Sequence, residues 1–373
     1  MKIFIIISLI LTILIIQSKS KECPCSNVEL CKPLEIGPRK EFIGFSVNST
    51  FYPYYNWDHL TTIGIFYSED IEDELLCMAK TNGVRLVYSA FYPVEQLSNE
   101  TYIDQWINEK LELVQNTFTD GLNFDVEYPI TDPIVAQQYT QLVAATNNAF
   151  KSVNLYYQIS VDVAWDASNC IDYRCYDYLG LSKASDFLVV MDYDMKLDGY
   201  YFKTCLASAN SPPSSVLSGM VNFTKLGIDE SSLVMGLPWY GYNYPCIGSN
   251  YTLQTFECII PPSSYLGYNC TDASGIEINY SIIMNMLNDT AIQNGGVQWD
   301  SESESPYFNF IDLFSGTQHQ MWFDNPDSLT IKVNIARTMN LRGVGVWNID
   351  QLWDDHSLSS GMWGALNSFF KIN

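Results

Sequence analysis

Asp120-Gly-Leu-Asn-Phe-Asp-Val-Glu127 is the stretch that decides the fold of this chain. Within it the apolar Leu122, Phe124 and Val126 alternate with Asn123, Asp125 and Glu127. Period-two alternation marks a β-strand: successive side chains leave opposite faces of the pleat, and residues two apart on one face lie about 7 Å from each other. Three polar groups therefore project from one side of a short strand whose other side is apolar. A half-exposed strand with an ordinary polar face would produce this pattern, and so would a buried network tying strands together. A third account is chemistry at the mouth of a barrel, because polar groups turned inward are costly to bury and the C-terminal barrel end is where catalysis sits.

Outward from this strand the chain repeats one theme. Short apolar, β-branched runs lie at 42–47, 61–67, 85–89, 121–126, 157–163, 186–191, 233–237 and 343–347. Helix-like segments separate them. Between the third and fourth runs, Ile103, Trp106, Ile107, Leu111 and Val114 fall three or four residues apart on one helical stripe, and the helix is predicted to start near Ser98. Near-continuous apolar strands alternating with helices imply a parallel sheet covered by helices, and eight such units close into an α/β (β/α)8 TIM barrel. The stretch 242–320 is too long for one repeat. Rich in Cys, Asn, Tyr, Pro and Ser, it reads as a disulfide-tied insertion between strands 7 and 8, on the side where barrel loops build active sites.

The N-terminus adds a compartment. Lys2 precedes an apolar run at 3–16, and Ser18 and Ser20 suit a cleavage site, so residues 1–20 read as a signal peptide and 21–373 as one catalytic domain. That run is short for a membrane anchor, and no later apolar stretch reaches the roughly 18 residues a span requires, so no membrane association is expected after cleavage. The 10 cysteines then read as disulfides, although their number leaves the pairing open. With no Cys-x-x-Cys pair, and with His59, His319 and His356 scattered, no metal or other cofactor is expected. Glycosylation acceptors stand at Asn48, Asn99, Asn222, Asn250, Asn269, Asn279 and Asn288. A net charge of −23 repels nucleic acid and anionic membranes. It suits solubility, and equally an acidic compartment in which carboxylates lose charge.

The motif Asp120-Gly121…Asp125…Glu127 resembles the fourth-strand signature of the family 18 glycoside hydrolases. Met191-Asp-Tyr-Asp194, Leu233-Val-Met-Gly-Leu-Pro-Trp-Tyr-Gly241 and Gly343-Val-Gly-Val-Trp347 resemble that family's sixth, seventh and eighth strands, in order. The resemblance implies that Glu127 is the catalytic acid, with Asp125, Tyr193 and Asp194 around the substrate's acetamido group. It further implies that Asp120 and Asn123 support that pair from beneath, that Trp347 is the floor under the sugar, and that Trp239, Tyr240 and Tyr242 line the cleft. Asp125 is also expected to raise the pKa of Glu127.

Asn123 departs from the family's middle Asp. With Cys23-Pro-Cys25, Asp162-Val-Ala-Trp165, Arg174-Cys-Tyr176 and His319-Gln-Met-Trp-Phe-Asp-Asn-Pro326, it points to the branch that splits the GlcNAcβ1,4GlcNAc core of glycoprotein oligosaccharides. That branch implies an exo-acting lysosomal enzyme, a monomer, acting on N-acetylglucosamine-containing oligosaccharides and releasing reducing-end GlcNAc with retention. An endo-acting secreted chitinase could carry the same residues. A chitin-binding lectin of the same fold is a third reading, against which the presence of Glu127 weighs.

Overall fold

A computed structural model describes residues 22–198, 204–248, 251–353 and 356–370. The proposed signal peptide and Asn250 lie outside them. The eight expected strands are all present: Glu41–Ser46, Thr62–Ile65, Arg85–Ala90, Gly121–Phe124, Gln158–Ala164, Phe187–Met191, Leu233–Pro238 and Gly343–Trp347. They pair in parallel in sequence order, and the eighth closes onto the first through Glu41 opposite Gly343. The result is the predicted (β/α)8 barrel.

Seven of the connections between barrel strands, or after the last one, carry an α-helix. The first does not: a 3-10 turn, Tyr52–Tyr54 with Pro53 inside it, stands there instead. The helix predicted from Ile103, Trp106, Ile107, Leu111 and Val114 runs Glu100–Thr117, with the Asn99 side chain accepting from Tyr102 N–H at 3.2 Å as its N-cap. Its stripe packs on the fourth strand, where Trp106 meets Phe124 with ring centroids 5.6 Å apart. Leu122, Phe124 and Val126 are all buried, so the apolar half of the alternation faces the helices and the polar half faces the barrel axis.

Gly121 is required where it stands. Its φ of +146° is rarely adopted by L side chains, and a Cβ there would meet Gln158 O of the next strand at 1.9 Å. Asp120, just before it, ties the barrel's N-terminal end together. Its carboxylate pairs with the buried Lys80 at 2.6 Å and accepts from Leu34 N–H at 3.0 Å and Leu86 N–H at 3.1 Å.

The insertion is a folded layer of its own. Strands Tyr240–Pro245, Ile276–Asn279, Gln298–Asp300, Ser305–Ile311 and Gln318–Trp322 form a five-stranded antiparallel sheet, with a helix at Tyr280–Asn288. All 10 cysteines are paired: Cys23–Cys31, Cys25–Cys77, Cys170–Cys175, Cys205–Cys270 and Cys246–Cys258. The last lies within the insertion, and Cys205–Cys270 anchors it to the connection after the sixth strand. No helix among the described residues is long and apolar enough to cross a membrane.

Candidate active site

The fourth strand ends at Phe124, so Asp125 and Glu127 stand just beyond its C-terminal end. Asn123 sits one layer deeper. Its amide donates to Asp162 Oδ2 at 2.5 Å and accepts from Ser160 Oγ at 2.6 Å, which links the fourth strand to the fifth. Asp125 is 9% exposed and borders a cavity of about 210 Å³ shared with Glu127, Asp162, Tyr193, Asp194 and Trp347. A second cavity, about 230 Å³, adjoins it and adds Trp165, Asp172, Arg174, Tyr242, Tyr265 and Asp272 to the walls.

Glu127 reaches into both cavities with its side chain 54% exposed. Its Oε2 receives Arg174 Nη1 at 2.7 Å, and the other arm of the same guanidinium donates to Asp172 Oδ2 at 2.7 Å. The Cys170–Cys175 disulfide closes the loop that carries this forked cation. Asp194 forms the opposite wall. At φ 54° it accepts from Tyr240 Oη at 2.6 Å and Tyr242 Oη at 2.8 Å, while Asn210 Oδ1 accepts its backbone N–H at 2.7 Å. Tyr193 lines both cavities, its ring edge-on to Tyr240. Trp347 is wedged against Phe66 and Phe45, with centroids 5.1 Å and 5.6 Å away, which fixes its indole at the cavity edge.

Carboxyl groups outnumber cations here, and burial raises the pKa of four of them. Desolvation, then the neighbouring Glu127, pushes the Asp125 carboxyl up to about 7, with Arg174 pulling the other way. Burial and Asp125 drive Asp162 well above the ordinary carboxylate range, against the hydrogen bond from Asn123. Burial also raises Asp194, which the two tyrosine hydroxyls moderate, and lifts Asp272 to about 7. Such shifts gather where proton chemistry is done.

The residues that match the glycosyl hydrolases family 18 pattern run from 88 to 351 and include Asn123, Asp125, Glu127, Arg174, Asp194 and Trp347. The chain belongs to that family. It is a glycoside hydrolase.

Among its relatives, the probable di-N-acetylchitobiase 2 of Dictyostelium discoideum is 57% identical over 351 residues, covering 93% of this chain and 91% of that one. The di-N-acetylchitobiase of Mus musculus is 34% identical over 365 residues, 96% of each. Among solved structures, the C-terminal domain of a putative chitinase from Desulfitobacterium hafniense superposes with a TM-score of 0.69. At 19% identity it covers 90% of this chain and 100% of that one, a likeness of fold alone.

Against this family 18 frame, two sequence expectations need correction. Trp239 does not line the cleft: it is fully buried and packs edge-on to Trp363 of the last helix at 4.8 Å, because it continues the core-facing set Leu233, Met235 and Leu237 of the seventh strand. Asp120 is not beneath Asp125 and Glu127, since it lies at the opposite end of the fourth strand, on Lys80. Tyr240 and Tyr242 border the site by way of Asp194. Arg174, Asp162 and Asp272 received no individual role from the sequence. Asp162 had a legible signal, for Ser160 and Asp162 repeat on the fifth strand the polar alternation of the fourth.

Proposed function

We propose that this hydrolase splits the GlcNAcβ1,4GlcNAc unit of oligosaccharides by substrate-assisted catalysis, with Glu127 as acid and then base. The protonation state of Asp125 carries this reading. A retaining enzyme with two protein carboxylates needs the second as an ionised nucleophile. Asp125, raised to about 7 by burial, is largely protonated in an acidic compartment and is a poor nucleophile there. The substrate's own 2-acetamido oxygen takes that role instead. Glu127 protonates the glycosidic oxygen, the acetamido oxygen attacks C1, and water opens the resulting oxazolinium as Glu127 takes back the proton. The anomeric configuration is retained.

Asp125 accepts the acetamido N–H through its carbonyl oxygen and so holds the group in the attacking orientation. Tyr193 and Asp194 hold the group from the other side, and Trp347 lies under the sugar face. The support for a di-N-acetylchitobiose substrate is the name of the two relatives. Exo action, in which only the reducing-end sugar is released, is part of the same proposal. Lysosomal residence is part of the same proposal, supported by the signal-like N-terminus and by carboxyls tuned for acid.

Time-resolved mass analysis of a reducing chitobiose-core oligosaccharide tests it. Early products are expected to contain reducing-end GlcNAc alone. Early internal fragments from a chitin oligomer would refute exo action, and efficient cleavage of cellobiose-type sugars would refute assistance by the acetamido group.

A further inference from the structure

A cavity of about 270 Å³ opens at the other end of the barrel, among the N-terminal ends of the strands. Its walls include Arg85 and Gln158, the first residues of the third and fifth strands, Arg342 just before the eighth, and Lys151 near the end of the helix Pro133–Val153. Arg85 and Gln158 are each only 4% exposed. Both keep a buried donor with no acceptor, Arg85 Nε and Gln158 Nε2, and Arg342 Nε is orphaned in the same way. Unpaired buried donors are uncommon in folded proteins and costly to leave unsatisfied.

The charges here run against the molecule's overall sign. Lys151 is matched by Asp186 at 2.9 Å. Glu41 is shared between Arg39 at 3.7 Å and Arg342 at 3.5 Å. Arg85 has no carboxylate partner among the described residues; its Nη2 donates to the Ile36 carbonyl. Of the three cations in the wall, Lys151 is paired with Asp186 and Arg342 shares Glu41 with Arg39, which leaves Arg85 without a carboxylate in a chain of net charge −23. A cavity whose polar wall is two arginines, an amide and the Lys151–Asp186 pair, with buried donors to spare, matches a ligand that only accepts hydrogen bonds and carries negative charge.

We propose that this cavity binds a phosphate-type oxyanion. Arg85 and Arg342 neutralise it, Gln158 Nε2 donates to it, and Tyr156 and Leu155 at the rim give an organic ester room to leave toward solvent. An engineered apolar cavity of about 150 Å³ holds benzene, so this volume accepts inorganic phosphate or a small phosphate monoester. The site lies at the barrel end opposite Glu127, so binding is expected to leave turnover unaffected.

The test uses the full chain, with inorganic phosphate and glucose 6-phosphate as probes and chloride at matched ionic strength and glucose as controls. Titration calorimetry is expected to show saturable binding of inorganic phosphate, and thermal unfolding a saturable rise in Tm of roughly 2 °C. Stronger binding of glucose 6-phosphate would identify an ester as the ligand, and equal binding the free anion. Leu155→Glu, at an exposed rim position, puts a carboxylate beside the anion without removing a buried cation. It is expected to weaken binding about tenfold or more at unchanged Tm in chloride. Arg85→Gln is the second variant and is expected to abolish binding. Overturning results are an effect of phosphate no larger than that of chloride, retention of binding in Leu155→Glu, or competitive inhibition of glycoside cleavage by phosphate, which would place the anion on Arg174 instead.

Discussion

At the scale of single residues, Glu127 and Asn123 make opposite predictions. Glu127 is half exposed and its one ion pair is with Arg174, so its carboxylate holds little of the fold together. Glu127→Gln is expected to reduce kcat by roughly a thousandfold, the usual scale of a general acid, while Tm stays within about 1 °C of the parent. Near-normal turnover in this variant would remove Glu127 from its role. Asn123, in contrast, is buried and spans Ser160 and Asp162. Asn123→Asp replaces the donor to Asp162 with a third carboxyl group beside two whose pKa values already stand high. Like charges in a buried site disfavour further ionisation, so the variant is expected to lose about 1–3 kcal/mol of stability at pH 7 and recover much of it at pH 5. Unfolding at both pH values measures this, and equal losses at the two would show that the hydrogen bond alone matters.

Among the elements, the barrel strands were legible because their apolar runs are nearly unbroken, and burial on both faces demands such runs. The alternation at Asn123, Asp125 and Glu127 stood out against those runs and marked the strand end that borders the cavity. What escaped the sequence depended on contacts between segments far apart in it. Arg174 reaches Glu127 across 47 residues, and nothing in Arg174-Cys-Tyr176 names its partner. Trp239 shares the parity of Leu233, Met235 and Leu237, which face the helices, and its partner there, Trp363, comes from the far end of the chain. The pairing of the cysteines was likewise closed to sequence reading, and the bridges it produced differ in purpose. Cys205–Cys270 spans 65 residues and Cys170–Cys175 only 5. Chain entropy in the unfolded state makes the first worth about 4 kcal/mol and the second about 2. The double variant Cys205→Ser/Cys270→Ser is therefore expected to lower Tm more than Cys170→Ser/Cys175→Ser. The second is expected to reduce kcat/KM more, since it frees the loop that places Arg174 beside the acid. Equal effects of the two on both measurements would contradict this division.

For the molecule as a whole, the buried carboxyls set how stability depends on pH. Asp125 and Asp272 rise to about 7 from an ordinary 3.8, and Asp192, buried with neither carboxylate oxygen hydrogen-bonded, is driven well above its usual range by desolvation. A group whose folded pKa exceeds its unfolded one binds protons more tightly when folded. Its contribution is fully present below the unfolded pKa and is lost as pH climbs through the folded one. Tm is therefore expected to fall as pH rises from 4 toward 7 and beyond, the reverse of the trend for carboxylates paired in surface salt bridges. Asp192 separates this effect from general charge repulsion. The cation that pulls its pKa back down is Lys332, whose own hydrogen-bonded carboxylate is Asp324 at 2.6 Å. Asp192→Asn keeps the shape and removes the titration. It is expected to match the parent at pH 5 and to be more stable by about 1 kcal/mol or more at pH 8, where the parent must either ionise a desolvated carboxylate or hold its proton against the solvent. Unfolding curves of the two proteins across pH 4–8 make the comparison, and parallel curves would mean that Asp192 is paired and ionised after all.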